Sequence, residues 1–300
     1  MEAGAVSVRL HHGGPPETKP KADLLASLNE RGAYIHRNNM PTHSTFLDGL
    51  VAFSLFGGLV ATLEVCFYLG KQARRRRTDE PDQLSTIQGA MLGMLALLLG
   101  FSFALAAGRF NDRVQLIVSE ANAIGTAWLR CDLLSDGARS ELHQLLADYT
   151  DQRILFYDAD DAAGQLAAAK KSAASQVRMW AIVASESKAQ PAFANVLLPS
   201  FNEVMDLQAA RAAAATRHMP GMLLLLLLSC SLVAVASVGY GCGVAGKRNV
   251  VLTTSLTFII SGALWATIDM DHPRKGLIRV GQQPMLDLQA NIHKVNLPAR

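Results

Sequence analysis

GAMLGMLALLLGFSFALAAGRFNDRVQLIVSEANAIGTAWLRC, residues 89–131, carries one pattern from end to end. Gly89, Gly93, Ala96, Gly100, Phe103, Ala107, Phe110, Val114, Ile117, Ala121, Ile124, Trp128 and Cys131 follow one another at alternating spacings of four and three. Such a seam marks a helix packed against neighbours. Arg109, Asn111, Asp112, Arg113, Gln115, Ser119, Glu120 and Asn122 all fall off it. The stretch reads as one continuous helix of about 63 Å at the helical rise per residue, half in lipid and half in water. Within lipid, the small residues Gly89, Gly93, Ala96 and Gly100 allow close approach of another helix. In water the seam becomes bulky and apolar, and packing in a core is its expected meaning.

Outward from this rod, four segments are long and apolar enough to cross a bilayer: Leu47–Leu69, Thr86–Gly108, Pro220–Cys242 and Val250–Ile268. The composition agrees. Half of the 300 residues are apolar, and the net charge is only +3. Disorder requires a more polar chain, and a disulfide scaffold needs more than the four cysteines present. A nucleic-acid partner is not expected from so small a basic excess. Cys66, Cys230 and Cys242 lie in or at spans, Cys131 stands alone, and no CxxC spacing suggests a metal site.

Between the second and third spans, turn signals at Ser135-Asp136-Gly137, Asp158-Ala159-Asp160-Asp161 and Gln190-Pro191 divide the chain. The pieces are rich in Ala, Leu and Gln, which favours helices near 109–134, 138–157, 162–188 and 192–218. The first continues span two and the last descends into span three, giving a four-helix extramembrane bundle. Expected core stripes are Leu142, Leu145, Tyr149 and Phe156; Leu166, Ala173, Val177 and Trp180; and Leu197, Phe201 and Val204. The fold class is therefore an all-α membrane protein. Its parts are an arm at 1–43, flexible apart from a short helix around Asp23–Gly32, spans one and two at 44–108, the bundle at 109–218, spans three and four at 219–268, and a C-terminal tail at 269–300. The arm lacks the apolar segment of a signal peptide.

Lys71 and Arg74–Arg77 in one short loop, with Lys247 and Arg248 in the other, place both short loops in the cytoplasm of a bacterial inner membrane. The bundle and both termini then fall on the periplasmic side. The run Arg74, Arg75, Arg76 and Arg77 can also attract anionic lipid, at about 1 kcal/mol per charge.

Several charged and polar residues are candidates for a pore or an interface. Glu64 lies about 9 Å inside the cytoplasmic end of span one; it serves ion passage, or it pairs with Lys71 or the following arginines. Arg109 and Arg113 sit at the outer mouth of span two, Asp269 and Asp271 at the outer end of span four. If these ends are neighbours, the four charges form either a selective ring or an ion-pair belt at the headgroups. Glu120 and Asn122 flank the seam above the membrane, where polar residues set register. His272 beside Asp271 is too sparse for a metal, and His11-His12 is isolated in the arm. With no nucleophile–base set or phosphate loop, neither catalysis nor a cofactor is expected.

GAMLGMLALLLGFSFALAAGRF at 89–110, SEANAIGTAWLRCDLL at 119–134 and IDMDHPRKGLIRVGQQPMLDL at 268–288 resemble a family of bacterial four-span membrane proteins with a bestrophin-like domain. The resemblance covers roughly residues 84–290. It implies a distant relation to bestrophins, which are pentameric anion channels with helical domains continuous with the membrane. No bestrophin calcium-site or neck residue finds its counterpart here, so none is carried over. Bestrophins also hold their helical domain in the cytosol, opposite to the side the loop charges select. The expected function is an oligomeric ion channel; the alternative is a membrane-anchored helical interaction or sensory module without transport.

Overall fold

The computed structural model describes residues 6–7, 18–19, 43–74, 82–159, 161–272 and 277–296. The helix expected at Asp23–Gly32, His11-His12 and Arg75–Arg77 lie outside the described residues. The chain divides into two compact units, Met1–Leu47 and Asp48–Arg300. In the first, β1 (Val6–Ser7) pairs antiparallel with β2 (Thr18–Lys19).

The second unit is helical. Its membrane helices are α1 (His43–Arg74), the inner part of α2 (Asp82–Arg130), α6 (Gly221–Ala245) and α7 (Val250–Asp271). All four are long and apolar enough to span a bilayer. α2 runs unbroken through the membrane-to-water boundary, ends in a 3-10 turn at Cys131–Leu133, and is about 73 Å long by its rise per residue. The bundle adds α3 (Asp136–Asp158), α4 (Ala162–Ala189) and α5 (Pro191–Thr216). Local chemistry sets their ends. Asp161 caps α4 by accepting from Gly164 N at 3.2 Å, and Asn249 caps α7 through Leu252 N at 3.3 Å. Gly246 closes α6 at φ 69°, a left-handed conformation suited to glycine.

Within residues 269–300, read from the sequence as a tail, the described residues hold a helix. After α7, α8 (Gln283–Asn296) packs against α2 and α3, with Met285 and Ile292 buried in the bundle core. The bundle thus has five helices. Its core joins Ile124 and Trp128 of α2, Leu142 and Tyr149 of α3, Met179 and Val183 of α4, and Leu197, Phe201 and Val204 of α5.

Two core expectations change. Leu166, Ala173, Val177 and Trp180 form the outer face of α4, with Val177 73% exposed; Ala168, Ser172, Met179 and Val183 face inward instead. The stripes share a helical period, and only the neighbours decide which is covered. Likewise, the membrane half of the α2 seam does not pack inside the subunit. Gly89, Gly93, Ala96 and Gly100 are all exposed, and a Cβ added at any of these glycines would meet nothing within 4 Å. The inward face is instead Leu95, Ser102 and Ala106. The glycines that do bring helices together are elsewhere. Gly239 and Gly243 of α6 lie against the backbone carbonyls of Leu63 and Phe67 in α1, and Gly70 lies against that of Tyr240. This small-residue contact allows α1 and α6 to touch backbone to backbone.

Candidate functional site

The bundle and the membrane helices meet at two stacked polar layers and a cleft between them. In the layer nearer the membrane, Arg113 on α2 is buried and spends its guanidinium on main-chain carbonyls. It donates to Ala214 O (3.2 Å), Arg217 O (2.7 Å), Met270 O (3.3 Å) and Asp271 O (3.4 Å). These belong to the C-terminal ends of α5 and α7, whose carbonyls have no helical partner. One side chain therefore ties three helices together where water is scarce.

Asp271 is 1% exposed. Both its oxygens accept from Met219 N, at 2.9 and 3.1 Å. Arg109 Nη1 approaches to 3.8 Å, too far for a hydrogen bond. Asp269, also buried, accepts from Leu277 N (3.0 Å) and Ile278 N (2.7 Å), so it anchors the strap into α8. Arg109, Arg113, Asp269 and Asp271 thus come to one level, with Asp269 turned to the strap. The sequence does not reveal His218, which reaches this layer from 53 residues before Asp271, with Nδ1 3.1 Å from Asp271 O.

The second layer centres on Glu120 of α2, which is fully buried. Arg153 of α3 grips it through Nε (2.7 Å) and Nη2 (3.3 Å), and Arg211 of α5 through Nη1. Tyr149 OH also donates to it, at 3.3 Å. Arg211 stacks on Tyr157, 4.1 Å from the ring centre, and donates to Gln282 Oε1. Burial pushes the Glu120 carboxyl up, but Arg211 and Arg153 more than reverse this and hold it below its ordinary value. Burial, with Glu120 alongside, raises the Tyr149 phenol, which stays neutral. Spacing within α2 marks Glu120 as merely off the seam; its partners lie 33 and 91 residues away. Asn122, its sequence companion, is exposed on the outer face.

Between the layers lies a cleft of about 250 Å³. Leu116, Ile117, Ala214 and Val280 make apolar walls, while His218, His272 and Gln282 supply polar groups.

At the opposite end of the membrane helices, Glu64 pairs with Arg248, both carboxylate oxygens 2.8 Å from Nη1. The sequence offers Lys71 or the arginine run as partner; among the described residues the α6–α7 loop supplies it. Arg248 is further held by Thr253 Oγ1 at 3.2 Å and by the Phe67 ring.

Two crystal structures of variants of a bacterial bestrophin homologue from Klebsiella pneumoniae share this architecture. Their TM-scores are 0.64 and 0.62 at 12% identity, covering 81% of this chain and 97% and 99% of theirs. At that identity the likeness speaks for the fold alone. Among curated proteins no sequence match is found. The family profile of the bestrophin-like domain matches residues 57–285, which span both polar layers and all but the outermost membrane-helix ends. The chain belongs to the bestrophin-like domain family.

Proposed function

We propose that this protein is the subunit of a homo-oligomeric ion channel of a bacterial inner membrane. The carrying observation is the bare small-residue face of α2. Gly89, Gly93, Ala96 and Gly100 are exposed along a helix whose opposite face packs on its own subunit. A glycine face that no described helix covers suits contact between copies around an axis. Family membership supports the same reading. Of the candidate charges, Glu64 and Arg109 stay partly exposed, and in such a ring they would bias passing ions. Arg74, at the end of α1, lies beside Gly246 of the α6–α7 loop, and the basic residues of the two short loops support a cytoplasmic position for both. The run Arg74–Arg77 would then attract anionic headgroups.

Purified protein in planar bilayers should pass current, with selectivity altered in Glu64→Gln or Arg109→Gln. Silent bilayers at adequate protein load, or a monomer in mild detergent and in nanodiscs, would overturn the reading. A second reading, an interaction module, is favoured by the exposed apolar face of α4 at Leu166, Val177 and Trp180. It predicts that polar substitutions on that face release a co-purifying partner without affecting current.

A further inference from the structure

We propose that His218, Asp271 and His272 form a binding site for a divalent transition metal of the zinc type, at the rim of the junction cleft. Among the described residues, each of these three offers one ligand atom, and the three atoms lie within 4.8 Å of one another. The donor set is two imidazoles and one carboxylate. That set favours zinc, copper or nickel, whereas calcium and magnesium prefer oxygen alone.

A second observation concerns how the charge of Asp271 is met. Asp271 is almost wholly buried, and among the described residues Met219 N is its one close hydrogen-bond donor. A buried carboxylate is costly unless its charge is met. Neither neighbouring arginine meets it by hydrogen bonding. Arg113 directs its donors to carbonyl oxygens, and Arg109 Nη1 stands 3.8 Å away, buried and itself without a hydrogen-bond partner. His218 Nδ1 lies 3.4 Å from Asp271 Oδ2, and the His218 and His272 rings stack with centres 5.0 Å apart.

Ligands of tetrahedral zinc stand roughly 3.4 Å apart, given bonds of about 2.0–2.1 Å. Rotation of the two imidazoles closes the difference. Each ring has Nδ1 3.1 Å from a main-chain oxygen, His218 at Asp271 O and His272 at Ile268 O, and both are exposed enough to exchange that contact for a metal. Asp271, held by Met219 N, is the fixed member, and the hydrogen bond to it sets its orientation as an outer-shell partner does. His218 and His272 both line the cleft, so a small anionic or imidazole-bearing molecule bound there would complete the shell.

The test is metal uptake by the full-length protein in nanodiscs, purified through a histidine-free tag and stripped with chelator. Isothermal titration with Zn²⁺ should show one ion per chain, and Co²⁺ should give the visible bands of a low-coordinate site. His218→Ala and His272→Ala should each weaken binding at least about 10-fold, while their metal-free melting stays at the parent value. His11→Ala/His12→Ala should bind as the parent does, and Mg²⁺ should not compete. No uptake, or equal uptake by the His218 and His272 variants, would refute the site. Binding is read on the protein itself, so it stands or falls apart from conduction.

Discussion

Arg153 Nε on α3 donates to Glu120 Oε1 on α2 at 2.7 Å, and neither side chain is more than 4% exposed. With Arg211 on the other oxygen, one negative charge holds two positive ones in the bundle interior. Such a network gains from being complete and loses heavily when one member goes.

Glu120→Gln should therefore destabilise the protein by about 3–5 kcal/mol, because two buried guanidinium groups lose their counter-charge. The denaturation midpoint in detergent reads this. A triple variant with apolar residues at 120, 153 and 211 should recover much of the loss; a triple variant as weak as the single one would show that packing, not charge, is at stake.

Acid should weaken the same layer. The native Glu120 carboxyl is held below its unfolded value by Arg211 and Arg153 despite burial. Its ionisation thus stabilises the fold above the ordinary carboxylate range, and that contribution fades as pH falls through the lowered native value. Melting temperature should drop on acidification below about pH 4, and Glu120→Gln should show a shallower drop. Parallel acid profiles would assign the sensitivity to other groups.

Two glycine substitutions should part company. A side chain at Gly239 runs into the Leu63 carbonyl, so Gly239→Leu should disrupt the α1–α6 contact and lower yield and melting temperature. A Cβ at Gly93 meets nothing within 4 Å, so Gly93→Leu should keep the parent melting temperature while reducing the oligomer, measured by light scattering after gel filtration. Unchanged oligomer mass in Gly93→Leu would remove the α2 face from the subunit contact.

Cys131 is buried, its Sγ donating to Ala127 O at 3.2 Å. Burial, with Asp132 adding, pushes the thiol up to about 12. Maleimide should leave it unmodified in the native protein at neutral pH and modify it after denaturation, as mass spectrometry of the peptide would show. Fast native labelling would mean that α2 frays at its outer end.

Met285 of α8 is fully buried in the bundle core. Met285→Ala should cost about 2–5 kcal/mol, the range for emptying a core site. Unchanged stability would make α8 an accessory.

The sequence by itself determined the four spans, the unbroken α2 rod and the ends of α3, α4 and α5 to within a few residues. Each rests on local physics: apolar length, helical period, and turn residues at Ser135, Asp161 and Pro191. Tertiary structure alone decided which face of a helix is covered. Leu166 and Val177 share the period of Met179 and Val183, and Gly93 that of Leu95 and Ala106, so periodicity marks a stripe without naming its neighbour. It also decided the partners. Glu64 meets Arg248 across 184 residues, and His218 meets Asp271 across 53. Such pairs form because helices far apart in the chain end at the same depth, and no local rule of spacing records that depth.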